Sequence, residues 1–401
     1  MCIRDRVSGL HLTALSMQHK NGDRLENELL SNIQYVTEYL FNEVLTQQPS
    51  RIRRCLLRTA ILDRFCASLC ETLCKAEDDA DEDGNDGWRF IRHLKKENLF
   101  IVQLDRKNRW FRYHHLFQQL LRNQFKRIYG FEDRVALHTR ASQWYAENEL
   151  PDEAIAHALQ ADDMTGAARI VERYRHVMHD KDSLYVMKKW LYFFPWPFIR
   201  ERPALLSAYA WVRYIHFDIP GIQKVIHAVE SLGRDRPVHR VLSGEIDFFR
   251  GCIEYLNNNG GCSLAHLETA LEKVPVESSA IRGEIEMQHG LASQMLGRKQ
   301  AAVATLNDLV KRDPAVQGVR ETRILLTLVY IHVIAGDLNT AMATNQELYP
   351  VAEANGYTNS RVWSMYLKGL THFFRNDLEK AVGHFRNVIA HKHVLHSRAV
   401  A

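Results

Sequence analysis

Between Phe90 and Phe125 the spacing of apolar residues changes twice. Phe90, Ile91, Leu94, Leu99 and Phe100 recur at roughly helical intervals while Lys95, Lys96 and Glu97 stay polar, which predicts an amphipathic helix. From Phe100 onward Ile101, Val102 and Leu104 are extended-type residues. Asp105-Arg106-Lys107-Asn108 is a polar turn, and Trp110, Phe111 and Tyr113 form a second extended run, so a small two-stranded ribbon is expected. After His114 and His115 the helical spacing returns in Leu116, Phe117, Leu120, Leu121 and Phe125, opposite Gln118, Gln119, Arg122 and Asn123. A helix, a ribbon and a helix predict a wing packed on a helical domain; the plainer alternative is a helical domain with an incidental hairpin.

The flanks read as helices. Glu28 to Leu45 carries a broad apolar stripe, and Pro49-Ser50 opens a helix over Arg51 to Asp63. There Leu56, Leu57, Ala60 and Ile61 face a core, while Arg53, Arg54 and Arg58 form either a solvated face or an approach to a phosphate. Residues 75–87 are the most acidic stretch. Asp79, Asp81, Asp83 and Gly84 resemble the start of a calcium loop, but its twelfth position is Phe90 where a bidentate glutamate is needed, so a surface linker is expected.

Downstream, Arg134 to Ala146 and Asp152 to Gln160 predict an antiparallel helix pair, followed by a helix from Met164. Pro195 and Pro197 break the aromatic run KWLYFFPWPFIRERP, leaving an aromatic plug between repeat units or a ligand-facing elbow. In the C-terminal half Gly290, Ala302 and Leu306 match Gly369, Ala381 and Phe385, and Ala302, Ala341 and Ala381 recur at 39 and 40 residues. Small residues at helix crossings with a large apolar residue one turn later are what stacked helix hairpins need. The period exceeds that of tetratricopeptide repeats, so a tetratricopeptide-like array with longer loops is expected, with a bundle lacking repeat symmetry as the alternative.

Three segments carry a resemblance. ENLFIVQLD followed by RWFRYHHLF resembles the winged-helix segment of the large ATP-dependent LuxR-type, MalT-like transcriptional regulators. YVTEYLFNEVLTQQPSRIRRCLLRTAILDRF, residues 35–65, resembles the helical region before that module, and VSGLHLTALSM, residues 7–17, the end of the family's nucleotide-binding region. With the repeats, the resemblance spans nearly the whole chain; its motifs are specific up to about residue 160 and generic beyond. Such regulators are similar to STAND switch ATPases, with a nucleotide-binding domain, winged helix, superhelical sensor and terminal helix-turn-helix.

That plan predicts a mainly α chain: a winged-helix module followed by a tetratricopeptide-like α-superhelix. Residues 1–75 would hold the end of the nucleotide-binding part and linker helices, 76–130 the acidic loop and winged helix, and 131–401 the sensor. The sequence has no GxxxxGK[ST] and stops at Ala401 while still reading as repeat or linker, so it reads as an internal fragment, with MCIRDR outside the family pattern. ATP or ADP is thus implied for a full-length protein and no cofactor for this chain. DNA would be bound only through a missing C-terminal domain.

Composition changes this picture little. A formal charge of +4 over 401 residues does not require nucleic acid, and seven cysteines without a secretory leader fit a reducing, cytoplasmic setting. Cys66, Cys70 and Cys74 lie on one helix face, but three thiols without a fourth ligand make a poor zinc site and read as buried small hydrophobes. No apolar run is long enough to span a membrane. No GxSxG or HExxH occurs, so no catalytic and no metal residues are assigned and the chain is read as a non-enzyme.

Binding residues are expected instead. The resemblance implies that His114 or His115 touches the terminal phosphate of ADP in the complete molecule; a structural role at the start of the second helix is the alternative. It also implies an inducer, a small molecule or a regulatory protein, in the superhelix groove. Trp211, Tyr214, His216, Trp363 and Tyr366 are the groove candidates, each of which also fits a packing role. Exposed repeat ends would favour self-association. The competing reading is a free-standing helical-repeat module for protein–protein interaction.

Overall fold

A computed structural model describes residues 45–75, 87–232, 237–313 and 316–391. The expected nucleotide-region end at residues 7–17, the helix over 28–44 and the calcium-like loop Asp79–Gly84 lie outside the described residues. The chain divides into two compact units, one ending at Ala167 and the other beginning at Ala168.

The first unit runs α1 (Ser50–Thr59), α2 (Ala67–Cys74), α3 (Gly87–Lys96), β1 (Ile101–Gln103), β2 (Phe111–Tyr113), α4 (His115–Ile128), α5 (Phe131–Glu147) and α6 (Pro151–Gln160). The expected ribbon is present: β1 and β2 pair antiparallel, Val102 opposite Arg112. Phe65, between α1 and α2, bridges Phe111 on the ribbon's other side, its N–H donating to the Phe111 carbonyl at 2.7 Å. This third short strand, which the hydrophobic pattern did not show, ties the ribbon to the helices.

α3 ends earlier than its apolar spacing predicts. Asn98 adopts φ 51°, and the Leu99 N–H turns back to the Leu94 carbonyl at 2.9 Å. Leu99 stays buried, whereas Phe100, at φ 50°, is largely exposed and lays its ring 5.3 Å from Phe117. Inside the module Phe65 packs 4.7 Å from Tyr113, whose hydroxyl lies 2.6 Å from Thr59 Oγ1, so the one polar group in this aromatic core is satisfied.

The arginines of α1 find a structural explanation in Arg58. Its guanidinium donates to the Lys75 carbonyl at 3.1 Å and to Leu73 and Cys74 at 3.4 Å, capping the end of α2. Gln118 and Arg122 of α4 close α1 similarly, reaching the Leu62 carbonyl at 2.6 Å and the Ala60 carbonyl at 2.9 Å. Cys70 and Cys74 are buried as expected, but Cys74 is bonded to Cys55 of α1, so the reading of Cys74 as only a small hydrophobe is corrected. No cluster of three metal-ligating side chains occurs among the described residues.

α5 and α6, expected to open the sensor at residue 131, lie within the first compact unit. Tyr145 donates to the Arg64 carbonyl at 3.0 Å, Arg64 Nε donates to Glu153 at 3.0 Å, and the Arg64 guanidinium lies 4.6 Å from the Trp110 ring. These contacts join α5 and α6 to the residues beside the ribbon, and the two compact units divide within α7 (Met164–Asp180).

After α7 the second unit has a 3-10 turn at Leu184–Val186 and two short helices, α8 (Met187–Leu191) and α9 (Trp196–Arg200), separated at Pro195 as its sequence requires. Trp190 and Phe194 are buried, whereas Tyr192 and Phe193 are exposed, and the segment lies ahead of the first hairpin and not between repeat units. Five helix hairpins follow: α10 (Pro203–Ile215) with α11 (Ile219–Ser231), α12 (Pro237–Leu256) with α13 (Gly260–Lys273), α14 (Ser279–Met295) with α15 (Lys299–Arg312), α16 (Val319–Ile334) with α17 (Leu338–Ala354), and α18 (Thr358–Phe374) with α19 (Leu378–Ala390). The first helix of each hairpin packs on the first helix of the next, the tetratricopeptide-like arrangement that the sequence predicts.

One turn geometry closes all five hairpins. Phe217, Asn258, Gly297, Gly336 and Asn376 take φ between 52° and 77°, and the next N–H reaches back five residues, as from Asp337 to the His332 carbonyl at 2.9 Å. This Schellman turn satisfies the last carbonyls of each first helix. The small-to-large pairing also holds. A Cβ on Gly290 would come within 3.0 Å of Leu306 Cδ1, and one on Gly369 within 2.8 Å of Phe385 Cε1. Gly251, Ser263 and Leu267 form a third example that the sequence reading overlooked, with Gly251 2.8 Å from Leu267 on the same measure. In the fourth hairpin the large apolar position is Asn345, buried and bonded to Ser364 Oγ at 2.7 Å. Among the described residues no helix is long and apolar enough to cross a membrane.

Two glycines of the last hairpin should respond oppositely. Gly369→Val overpacks the α18–α19 crossing and is expected to cost about 1–3 kcal/mol. Gly383→Ala, whose Cβ meets nothing within 4 Å, should gain about 0.5–1 kcal/mol from reduced backbone freedom. Urea denaturation of both variants measures the difference.

Candidate functional site

In the first unit the paired histidines sit where the ribbon passes into α4. His114 is buried and its backbone N–H donates to the Phe100 carbonyl at 2.7 Å, fixing the β2–α4 junction. His114 occupies the N-cap position of α4 without a side-chain cap bond, so its structural part comes from the backbone. His115, the first residue of α4, is exposed, and the two rings lie 4.5 Å apart.

A second histidine pair was not anticipated. His138 of α5 and His157 of α6 face each other with Nδ1 atoms 2.8 Å apart, and Tyr145 stacks on His157 at 5.4 Å. Two nitrogens at that distance share one proton, so at least one ring is neutral. Burial first, then Arg122 and Arg134, lowers the His138 pKa to about 4; burial first, then His138, lowers that of His157 to about 4, against a smaller opposing pull from Asp63.

In the second unit the five groove candidates fall into two clusters on first helices. Trp211 and Tyr214 lie on α10 with rings 5.5 Å apart, and Trp363 and Tyr366 on α18 with rings 5.6 Å apart. Trp211 has no exposed surface. It stacks on Phe248 at 5.0 Å, meets His179 edge-on at 4.6 Å, and donates from Nε1 to Glu245 at 2.7 Å, so it is corrected from groove candidate to core. Tyr214, Trp363 and Tyr366 are half-buried; His216 is also half-buried, with Nδ1 2.9 Å from the Val212 carbonyl.

Buried charges connect the two clusters, and these the sequence reading missed. Tyr214 donates to Glu284 of α14 at 3.3 Å, Glu284 accepts from Arg323 Nε of α16, and Arg323 donates to Ser360 Oγ of α18 at 2.8 Å. Arg323 also pairs with Asp182, outside the hairpins, at 2.5 Å. Burial alone would lower the guanidinium pKa, but Asp182 and Glu284 reverse that and hold it charged. Next to this line Arg320 makes a two-pronged pair with Glu286, 2.9 and 2.5 Å. The signal lay in charged residues set within apolar helical runs, as in RGEIEM and RETRILL.

A cleft of about 370 Å³ opens among α17, α18 and α19. Met342, Pro350 and Met365 give it an apolar lining, and Lys368, His384 and Asn387 bring polar groups to it. Burial, with Lys368 and the stacked His372 beside it, lowers the pKa of His384. None of its lining residues was among the sequence candidates, though Trp363 and Tyr366 lie on the same helix.

The described chain is thus a winged-helix unit in one polypeptide with an array of stacked helix hairpins. Residues 41–131 match the model of the MalT winged helix domain. That match includes α1 and α2 and ends at the start of α5. The chain is 26% identical over 312 residues to the HTH-type transcriptional regulator MalT of Yersinia enterocolitica, covering 74% of this chain and 34% of that protein. It is 27% identical over 252 residues to MalT of Yersinia pestis, covering 62% and 27%. In fold it is similar to a STAND protein with a tetratricopeptide repeat sensor from Pyrococcus horikoshii, at a TM-score of 0.52 and 12% identity, covering 94% of this chain and 54% of that one. The chain is therefore MalT-like, and it spans about a third of the length of the curated relatives it matches.

The pH dependence of the first unit follows from its histidine pair. Because both rings titrate below their ordinary value of 6.5, the unfolded chain takes up more protons between pH 6.5 and 4. This contribution is complete above about 6.5 and is lost as the pH falls towards about 4. Urea midpoints measured across that window should fall with pH, and His157→Gln should flatten the decline.

Proposed function

We propose that this chain is the regulatory, signal-sensing part of a MalT-like transcriptional regulator, in which the hairpin array receives an inducer or regulatory protein and the winged helix relays the outcome. The observation that carries this reading is the presence, in one polypeptide, of a MalT-type winged helix and a tetratricopeptide-like array. Arrays of this kind offer extended binding surfaces, and this one carries polar and aromatic groups along its first helices. ATP or ADP, and DNA, would be handled by portions of the relatives that this chain does not span. Of the two paired histidines, the exposed His115 is the one we assign to a nucleotide on a neighbouring domain; buried His114 holds the junction. A cytoplasmic setting suits such a regulator.

For a small-molecule inducer we assign the cleft of α17, α18 and α19. Its apolar floor and convergent polar groups suit a compact polar ligand, with Tyr366 and Trp363 on the adjoining surface of α18. A panel of neutral oligosaccharides, sugar phosphates and hydroxy acids screened by thermal shift tests this. One compound near a hundred times its Kd should raise the Tm by about 5–10 °C. Lys368→Ala should reduce that shift without lowering the unliganded Tm; stabilisation by no compound, or a shift indifferent to Lys368→Ala, argues against the assignment.

A further inference from the structure

The segment between α7 and α8 departs from the rest of the second unit in what it touches. Asp182 has φ 53°, a conformation that favours glycine or asparagine, and ends α7 as the Ser183 N–H turns back to the Met178 carbonyl at 2.8 Å. Its carboxylate is buried, although it precedes the hairpins in sequence. It accepts from Arg323 of α16 at 2.5 Å, from the Asn359 side chain at 3.2 Å, and from the Ser360 backbone N–H of α18 at 2.5 Å. Leu184 is buried, and Tyr185 packs with Trp363, Met365 and Tyr366 against the cluster around Val362. A short acidic and aromatic stretch, Asp-Ser-Leu-Tyr, is therefore seated on the start of α18 as a bound peptide would be.

We propose that this face of α16 and α18 is a recognition site for a partner protein's segment carrying an acidic residue followed three positions later by an aromatic one, and that residues 181–185 occupy it as a self-ligand. Two features make the occupant exchangeable. When Asp182 leaves, Arg323 keeps Glu284 and Ser360 Oγ, so release does not strand a buried guanidinium. Ser360 is the third residue of α18, whose N–H has no partner within the helix, so that donor is available to any incoming carboxylate. The tethered segment competes at a high effective concentration, which keeps the site closed until a partner of matching chemistry is abundant or multivalent. The proposal rests on reading the array as a sensor; its polar contacts are to α16 and the start of α18, and it shares Met365 with the small-molecule cleft.

The test uses the 401-residue chain and a blocked synthetic peptide of residues 181–186 as the probe. The double variant Asp182→Asn, Tyr185→Ala disables the resident segment and should bind the peptide at least tenfold more tightly than the wild type, by fluorescence anisotropy. A peptide carrying asparagine in place of Asp182 should lose most of that affinity. A folded double variant that binds the peptide no better than the wild type overturns the proposal. Should the variant not fold, native-state hydrogen exchange on the wild type decides. The Ser360 amide should exchange through an opening that leaves Leu367, in the middle of α18, protected; exchange of both only through global unfolding sinks the idea. Both outcomes are read without any cleft ligand present, so the two readings can fail separately.

Discussion

Arg323 is the constraint around which the second unit is arranged. A guanidinium cannot shed its charge inside a protein, so burying it obliges the fold to bring carboxylates to it. Glu284 comes from the neighbouring first helix, whereas Asp182 comes from before the first hairpin, 141 residues earlier in sequence. Ser360, on the next first helix, fills a further donor position. Apolar packing between successive hairpins is permissive about angle and register, but a planar donor fork shared among three elements is not. The positions of α14, α16 and α18 relative to one another are thereby fixed by a polar contact, while the apolar crossings supply the bulk of the stability.

The two units use polar groups differently. In the winged helix they close helix ends: Arg58 on the last carbonyls of α2, Gln118 and Arg122 on carbonyls just past α1. These are local solutions to orphaned backbone groups. In the array the first helix of each hairpin is closed by the repeated Schellman turn, Arg282 reaches the Leu271 and Val274 carbonyls at the end of α13, and buried charges link one hairpin to another.

Local pattern made the ribbon, its flanking helices and the hairpin period legible, because a change of apolar spacing and a small residue opposite a large one are written within a few residues of sequence. Three things were not local. Phe65 joins the ribbon as a single bridging residue, too short to leave any alternation. α5 and α6 read as a repeat-like pair, and contacts distant in sequence place them in the first unit: Arg64 with Glu153 and Trp110, Trp144 with Trp110, and Arg140 with the Lys75 carbonyl. Trp211 looked like a ligand-facing aromatic because its partner, Glu245, lies 34 residues away on another helix. The site residues fared worse than the fold for the same reason: Glu284, Arg323 and Asp182 have meaning only as a set, and no spacing rule connects them.

α18 joins the two candidate sites physically. Its first turn presents Asn359 and Ser360 to Asp182, its second carries Met365, and its third Lys368. Met365 lines the cleft and also packs in the cluster that holds Tyr185. A ligand that shifts Met365 therefore acts on the packing of the resident segment without touching its carboxylate, and loss of the segment alters one wall of the cleft. Because coupling between two sites is reciprocal, occupancy of the cleft and release of the segment must influence each other by the same factor. The element that both bias is a helix whose N-terminal turn is held by a replaceable carboxylate, which is the kind of two-state part that a switch requires.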